Sequence, residues 1–524
     1  MKTLIKKTKT YFKKNWLLFI SILIVISSLW PLFRLDFFRM HDWLHVARLI
    51  ELDTALKAGL FPPRWAPDFG WGYGMPLFHF YPPLPYYLAE LLYLIKVPAV
   101  WAIKTVFALN FFAGFYFAYL WAKDHWGKLG GLISATAFVY LPYRAVQFYV
   151  RGSLAELTAM TFIPLFFYAA KRKNIILTAL AITGIFLSHN VVALFALLFI
   201  PLYFLFNLKD WKKFTLTSLI AFGLSAFFIL PAFFEKSLTS VNKLSAGFSY
   251  YGFHFIYLRQ LFSRAFAYGG SVLGPKDDIS FQLGWPHVLL ILPAISLFLK
   301  KRSKELFYVF FALAISIFLM TFHSQFIWDK ITILHMAQFP WRLLAFSASF
   351  IAFLSGSITS FIKNKYFLAG VIFLIIALNF NYFQPKQFNN PADHYYTERE
   401  KIKNKLGDIL PDYLPKTAVK PDQPANALFD LNQASFTFDS QENQTHSINQ
   451  FYFPGWQVEV DDQPVEIKPD EKTGLISFNL SEGNHQITAY LGKTRLQQIA
   501  DMISLITWLS VIAYLGLKLK TKFS

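Results

Sequence analysis

Cysteine is absent from this 524-residue chain, which removes disulfides, thiolate metal sites and cysteine nucleophiles together. Charge is scarce as well. Only 15% of residues are Asp, Glu, Lys or Arg, where soluble proteins carry about 25%. Acid is the scarcer sign, with 31 Asp and Glu against 50 Lys and Arg. There is no Walker A motif, no dinucleotide-binding glycine pattern after a strand and no His-Glu-x-x-His. No nucleotide cofactor is expected. What is present is apolar: 55% of residues are hydrophobic and 19% aromatic. That is too much to stay disordered, and so little charge over such a length points to lipid as the main solvent.

The first apolar run spans Trp16 to Phe33 and follows Lys2, Lys6, Lys7, Lys9, Lys13 and Lys14. It is long for a signal peptide, and no small-x-small cleavage site follows, so it reads as a retained span. Further runs lie near 101–121, 129–142, 157–170, 175–188, 191–207, 214–234, 285–299, 306–320, 341–362, 366–380 and 498–517, giving about 12 crossings. With the N-terminus inside, the inside turns are 122–128, 171–174, 208–213, 300–305, 363–365 and the tail from Lys518. Basic residues crowd these turns, and only Asp124, Asp210 and Glu305 oppose them. The net charge of +19 is then a topology signal, with both termini cytoplasmic, and lends no support to a nucleic-acid partner. The spans carry almost no charge, which argues against an ion-coupled transporter. Leu84 to Ile95 is too short to cross and reads as interfacial or re-entrant.

The external mass falls in 34–100, 143–156, 235–284, 321–340 and a polar region of Asn381 to Gln497. Residues 381–431 read as a linker with at most short helices. From 432 to 497 period-two alternation appears at Trp456/Val458/Val460, Ile476/Phe478/Leu480 and Ile487/Ala489/Leu491. The expected fold is an all-α polytopic membrane protein. A transmembrane domain over 1–380 carries a long first external loop. A small extracytoplasmic β-sandwich-like domain precedes the last transmembrane helix and basic tail, 498–524.

The first external segment holds the most chemistry. A helix running to Gly59 places Asp42, His45 and Arg48 in one polar stripe. Asp42 can be a general base toward a hydroxyl, can share a divalent cation with His45, or can simply cap the helix. The Gly/Pro/aromatic stretch from Phe61 to Pro83 suggests a rigid aromatic surface, either stacking on sugars or forming an interfacial belt. Arg144, Arg151 and Glu156 lie beside the membrane, suited to a lipid phosphate or to an Arg151–Glu156 ion pair. Arg342 sits at the mouth of a span, as a ligand group or an anchor. His189, at a span end, reads as a packing or capping residue.

Asp42-x-x-His45, Arg64-Trp65, Gly72-Tyr73-Gly74-Met75-Pro76, Phe80-Tyr81-Pro82-Pro83-Leu84-Pro85, Arg151-Gly152-x-x-x-Glu156, Gln338-Phe339-Pro340-Trp341-Arg342 and Phe453-Pro454-Gly455-Trp456 together resemble the bacterial 6-pyruvoyl-tetrahydropterin synthase-related membrane proteins. No three-histidine zinc site of the soluble pterin synthase accompanies them. That family in turn is similar to the GT-C membrane glycosyltransferases. The resemblance implies a bacterial cytoplasmic membrane enzyme that transfers a sugar, with inversion, from a polyprenyl-phosphate donor to a cell-envelope glycan, lipid or protein acceptor. It implies Asp42 as the catalytic acid residue of the first external loop, helped by His45. Some GT-C enzymes hold the lipid phosphate with a Lys before the Pro-Pro-Leu turn. Here that position is Tyr81, so the role passes to Arg64, Arg144, Arg151 or Arg342. The other reading is a non-catalytic scaffold or binding protein for envelope polysaccharide.

Overall fold

The computed structural model describes residues 2–35, 37–206, 211–241, 247–389, 397–431 and 435–523. Lys209 and Asp210 of the basic turns lie outside the described residues, as do the side chains of Lys2 to Lys14 and of Lys522. Among the described residues, six helices are long and apolar enough to cross a membrane: Ala99–Val139, Leu154–Lys171, Trp211–Phe234, Pro340–Ser360, Lys365–Tyr382 and Arg495–Lys520. Asn15–Ser28, Ile175–Phe186 and Asn190–Leu205 are shorter apolar helices, and Ile291–Lys301 and Lys304–Met320 complete the bundle. The chain is a multi-pass membrane protein.

Ala99–Val139 doubles back on itself. Gly127 has φ 73 and ψ −178, and a Cβ on Gly131 would lie 3.0 Å from the Tyr119 carbonyl and from the Lys123 Cβ. In a straight helix those positions are about 18 and 12 Å from residue 131. The stretches 101–121 and 129–142 are therefore antiparallel neighbours. Their turn meets two other basic turns at one end of the bundle, where Arg172 Nη2 pairs with Asp124 Oδ1 at 2.9 Å and His125 Nε2 with Glu305 Oε1 at 2.6 Å. At the opposite end the segment 34–100 docks on other inter-helix loops. The backbone N–H groups of His41 and Asp42 donate to the carbonyls of Val150 and Arg151 at 3.0 and 2.9 Å, and that of Leu84 to Leu187 at 3.0 Å.

Within that segment a helix spans His45–Lys57, with Gly59 just beyond it at φ 75, a conformation glycine takes without strain. Leu84–Leu94 is a separate short helix against the bundle; its Leu91 and Leu94 are exposed.

The C-terminal sandwich has two antiparallel sheets. One joins Ser435–Ser440, Gly483–Leu491, Trp456–Val460 and Gln463–Val465 in that order; the other joins Gln444–Phe451, Leu475–Leu480 and Lys468–Pro469. All three alternating stretches are strands, with Val458, Ile476, Phe478, Ile487 and Ala489 facing the core. The aromatic stretch of the first loop forms neither a membrane belt nor an open platform. Trp65, Trp71 and Phe80 are buried in the sandwich's own hydrophobic cluster. Trp65 Nε1 donates to Gln450 Oε1 at 2.9 Å, and the Phe451 N–H donates to the Tyr73 carbonyl at 2.7 Å. A Cβ at Gly74 would fall 2.3 Å from Trp65 Nε1, so the close approach requires glycine there.

Candidate active site

A cavity of about 930 Å³ opens where the segment 34–100 meets the bundle. Its polar end is lined by Asp42, Arg48, Tyr81, Arg151, His189 and Arg342. Its other wall, with Leu194, Leu197, Phe222 and Phe233, is apolar. Leu197, Phe222 and Phe233 are exposed, so this wall offers uncovered apolar surface.

Asp42 does not cap the helix. The cap position is Leu44, without a side-chain bond. The Asp42 carboxylate turns instead to Arg48, whose Nη1 donates to both oxygens at 2.9 Å, and to Tyr81, whose hydroxyl donates to Oδ2 at 3.3 Å. Burial alone would raise the Asp42 pKa, but the Arg48 charge and these hydrogen bonds outweigh it and hold the carboxyl below its ordinary value. The Arg48 guanidinium lies over the Tyr81 ring at 4.4 Å.

His45 stands behind this pair, fully enclosed. Its Nε2 donates to the Gly152 carbonyl at 2.5 Å and its Nδ1 faces the Tyr86 hydroxyl at 2.9 Å; that hydroxyl also receives Arg48 Nη1 at 3.1 Å. Tyr86 thus donates to Nδ1, which fixes a neutral imidazole, and burial depresses its pKa further. With both ring nitrogens engaged and Arg48 on both oxygens of Asp42, these residues do not fit a shared cation. Among the described residues no three His, Asp or Glu side chains are grouped to hold one.

The second half of the polar end hangs on Glu156. This carboxylate is completely buried and does not line the cavity, contrary to its expected place against a ligand. It accepts from Tyr143 at 2.6 Å, Gln147 at 2.7 Å and Arg151 at 2.6 Å, and lies 3.8 Å from Arg342 Nε. A widened turn over Val146–Val150 brings Gln147 to Arg151 at 2.6 Å. Arg151 also stacks on Trp341, 4.7 Å from its centroid. Glu156 therefore aims two guanidinium groups at one cavity wall. Burial works against the charge on Arg151, yet Glu156 leaves its pKa raised. Arg342 Nη1 is held by the Ala337 carbonyl and Gln338 Oε1, both at 3.2 Å.

Arg64 and Arg144 are corrections. Arg64 reaches the last membrane helix, where Nη2 meets Asp501 Oδ1 at 2.6 Å and the Phe227 carbonyl at 3.0 Å. Arg144 is buried between the rings of Phe111 and Phe138, each 4.6 Å away, with Nη2 on the Asn110 carbonyl at 3.2 Å. Neither lines the cavity. His189 does, and it also caps its helix, Nδ1 accepting from the Val192 N–H at 3.2 Å. Burial, with Arg342 and Arg151 nearby, pushes its pKa down to about 3, so it is neutral. Sequence reasoning passed over Arg48 as the partner of Asp42, although the polar stripe contained it. It gave no sign of Leu410 and Tyr413, which the linker contributes to the cavity rim.

No protein-family model matches the chain. It is 28% identical over 264 residues to an uncharacterised protein of Lactococcus lactis subsp. cremoris, a match covering 45% of this chain and 43% of that one. The match thus spans less than half the length of that relative. Among solved structures it is similar to the arabinofuranosyltransferase AftD from Mycobacteria, with TM-score 0.47 and 15% identity over 72% of this chain and 27% of that one. It is also similar to the Archaeoglobus fulgidus oligosaccharyltransferase, with TM-score 0.44 and 15% identity over 73% of this chain and 57% of that one. At that level of similarity, any reading of function rests on the site.

Proposed function

We propose that this chain is a membrane glycosyltransferase of the GT-C kind, moving a sugar from a polyprenyl-phosphate donor to a cell-envelope acceptor on the outer face of the cytoplasmic membrane. The observation that carries the reading is the two-sided cavity: a carboxylate and two guanidinium groups among its polar lining, and an exposed apolar wall suited to a lipid chain. The reading takes the chain through the membrane twelve times, with both termini in the cytoplasm and the sandwich outside.

In this mechanism the prenyl chain lies along Leu197, Phe222 and Phe233, and the phosphate meets Arg151 and Arg342. Arg suits that contact because its planar fork pairs with phosphate oxygens. Asp42, held ionised by Arg48, accepts the proton of the acceptor hydroxyl as its oxygen attacks the anomeric carbon. The bond from that carbon to the phosphate oxygen breaks, and the phosphate departs as an anion neutralised by the two arginines. Attack opposite to the leaving group inverts the centre. His45, being neutral and fixed at both nitrogens, positions the Asp42–Arg48 pair through Tyr86. The sandwich orients the acceptor.

The test is Asp42→Asn in membranes supplied with a radiolabelled polyprenyl-phosphate sugar. Loss of a general base lowers transfer by about 10²–10⁴-fold, with expression and thermal stability retained. Transfer at the wild-type rate would end the assignment of Asp42. A second reading, a non-catalytic polysaccharide scaffold, draws on Arg48 holding both Asp42 oxygens as a structural ion pair would. On that reading the variant keeps glycan binding and no transfer is seen with either protein.

A further inference from the structure

His189 is larger than its place in the chain requires. It caps helix Asn190–Leu205, where its Nδ1 accepts from the Val192 N–H at 3.2 Å. Ser, Asn or Asp caps a helix better and with fewer atoms. The ring also lines the cavity, together with Arg151 and Arg342. The capping bond decides where its proton lies. A ring nitrogen that accepts from an N–H holds no proton of its own, so the imidazole is neutral and the proton sits on Nε2. Among the described residues none accepts from Nε2, and that atom is not sealed from the cavity. It is a donor left for a ligand. On the same wall, Arg151 and Arg342 lie 2.6 and 3.8 Å from Glu156. A neutral N–H adds a hydrogen bond beside the two guanidinium groups without repelling them. An anion with several acceptor oxygens uses all three donors together.

We propose that His189 is a third ligand of the donor's phosphate, its Nε2–H donating to a phosphate oxygen beside Arg151 and Arg342. The proposal rests on the reading of this cavity as a polyprenyl-phosphate site and names one further residue of it. The helix that His189 caps supports a lipid ligand in particular. Leu194 and Leu197 of the same helix line the apolar wall. They lie five and eight residues beyond His189, about 8 and 12 Å along the axis. One helix thus offers a hydrogen bond to the head of the lipid and apolar side chains to its tail.

The probe is farnesyl phosphate, a short prenyl monophosphate, with farnesol as the matched alcohol. Binding of each to the purified full chain in detergent is measured, and thermal stability in parallel. His189→Ser keeps an oxygen for the Val192 N–H but has nothing to reach the place of Nε2. It is expected to melt with the wild type and to bind farnesyl phosphate about ten-fold more weakly, the low end for a hydrogen bond to a charged group. Farnesol binding is expected to stay unchanged. His189→Thr, also a capping residue, replaces the serine variant if that chain does not fold. Arg342→Gln, read alongside, is expected to weaken farnesyl phosphate binding as well. Wild-type binding by the folded capping variant, with Arg342→Gln weakened, would overturn the role of His189 and leave the phosphate site standing. An equal loss for farnesol would place the effect on the apolar wall and overturn it too. If Arg342→Gln also binds normally, or the wild type does not bind, the phosphate site falls and His189 with it.

Discussion

Replacing Gly152 by alanine tests the geometry of the carboxylate end most directly. Gly152 has φ +62, and a Cβ built there would lie 2.1 Å from Met40 Sδ, 2.5 Å from Met40 Cγ and 2.8 Å from the Asp42 carbonyl oxygen. Two costs add. A side chain in the left-handed region costs about 1–2 kcal/mol, and forcing a methyl into an occupied space costs about 1–3 kcal/mol. Gly59, just past the end of its helix, separates them. It has φ +75 with nothing within 4 Å of its Cβ position, so Gly59→Ala carries the conformational cost alone. With a melting shift of about 2 °C per kcal/mol, Gly152→Ala should melt roughly 4–10 °C below the wild type and Gly59→Ala roughly 2–4 °C below. The assay is heat-induced loss of the monodisperse peak in detergent, both variants run side by side. Met40 can swing aside, but the Asp42 backbone cannot, because its N–H is fixed to the Arg151 carbonyl. Equal melting of the two variants would refute the close packing of residue 152 on Met40 and Asp42.

Arg48→Met leaves Asp42 buried without its cation and should cost about 3 kcal/mol, the low end for a broken buried pair, since Asp42 is partly open to the cavity. The Asp42 pKa is depressed in the folded protein, so its stabilisation is present above about pH 4 and lost as pH falls through the folded value. The stability gap between variant and wild type should therefore widen above about pH 4 and narrow below it; a pH-independent gap would contradict the pairing. Arg64→Ala, Asp501→Ala and the double variant should show a coupling of about 1–3 kcal/mol in thermal unfolding. Asp501→Ala should be the worse single change, because Lys493 also pairs with Asp501 at 2.7 Å. On the sandwich, His485 Nδ1 meets Asp461 Oδ2 at 2.6 Å, and that contact raises the His485 pKa and lowers that of Asp461. The histidine contribution is present below about pH 6.5 and lost above the folded pKa, and the aspartate contribution is present above about pH 4. The hydrogen-exchange protection factor at the 481–486 turn, which removes the intrinsic pH dependence of amide exchange, should be largest between those limits and lose that maximum in Asp461→Asn.

The residues that announce themselves in the sequence do so by local rules. The basic turns, the helix before Gly59 and the strands at Trp456, Ile476 and Ile487 each depend on neighbours a few positions away. Asp42 stood out for the same reason, and its partner Arg48 lay in the same stripe. Arg64 and Arg144 were misplaced because nothing nearby reveals their partners. Arg64 belongs with Asp501, 437 residues away, and Arg144 lies among rings of the hairpin that reverses at Gly127. Glu156 reads as a ligand group from its place beside two arginines, but burial makes it the anchor that aims them. The strand Gln444–Phe451 escaped notice because Gln450, buried to reach Trp65, breaks the apolar alternation.

The joint between the first loop and the sandwich has a consequence in time. Trp65 and Gln450 are 385 residues apart. At a synthesis rate of about 5–20 residues per second, roughly 20–80 seconds separate their emergence. Through that interval Trp65, Trp71 and Phe80 lack the strands that later bury them. The earliest loop is thus the last to mature, and the pocket hung from it is finished only when the end of the message has been read.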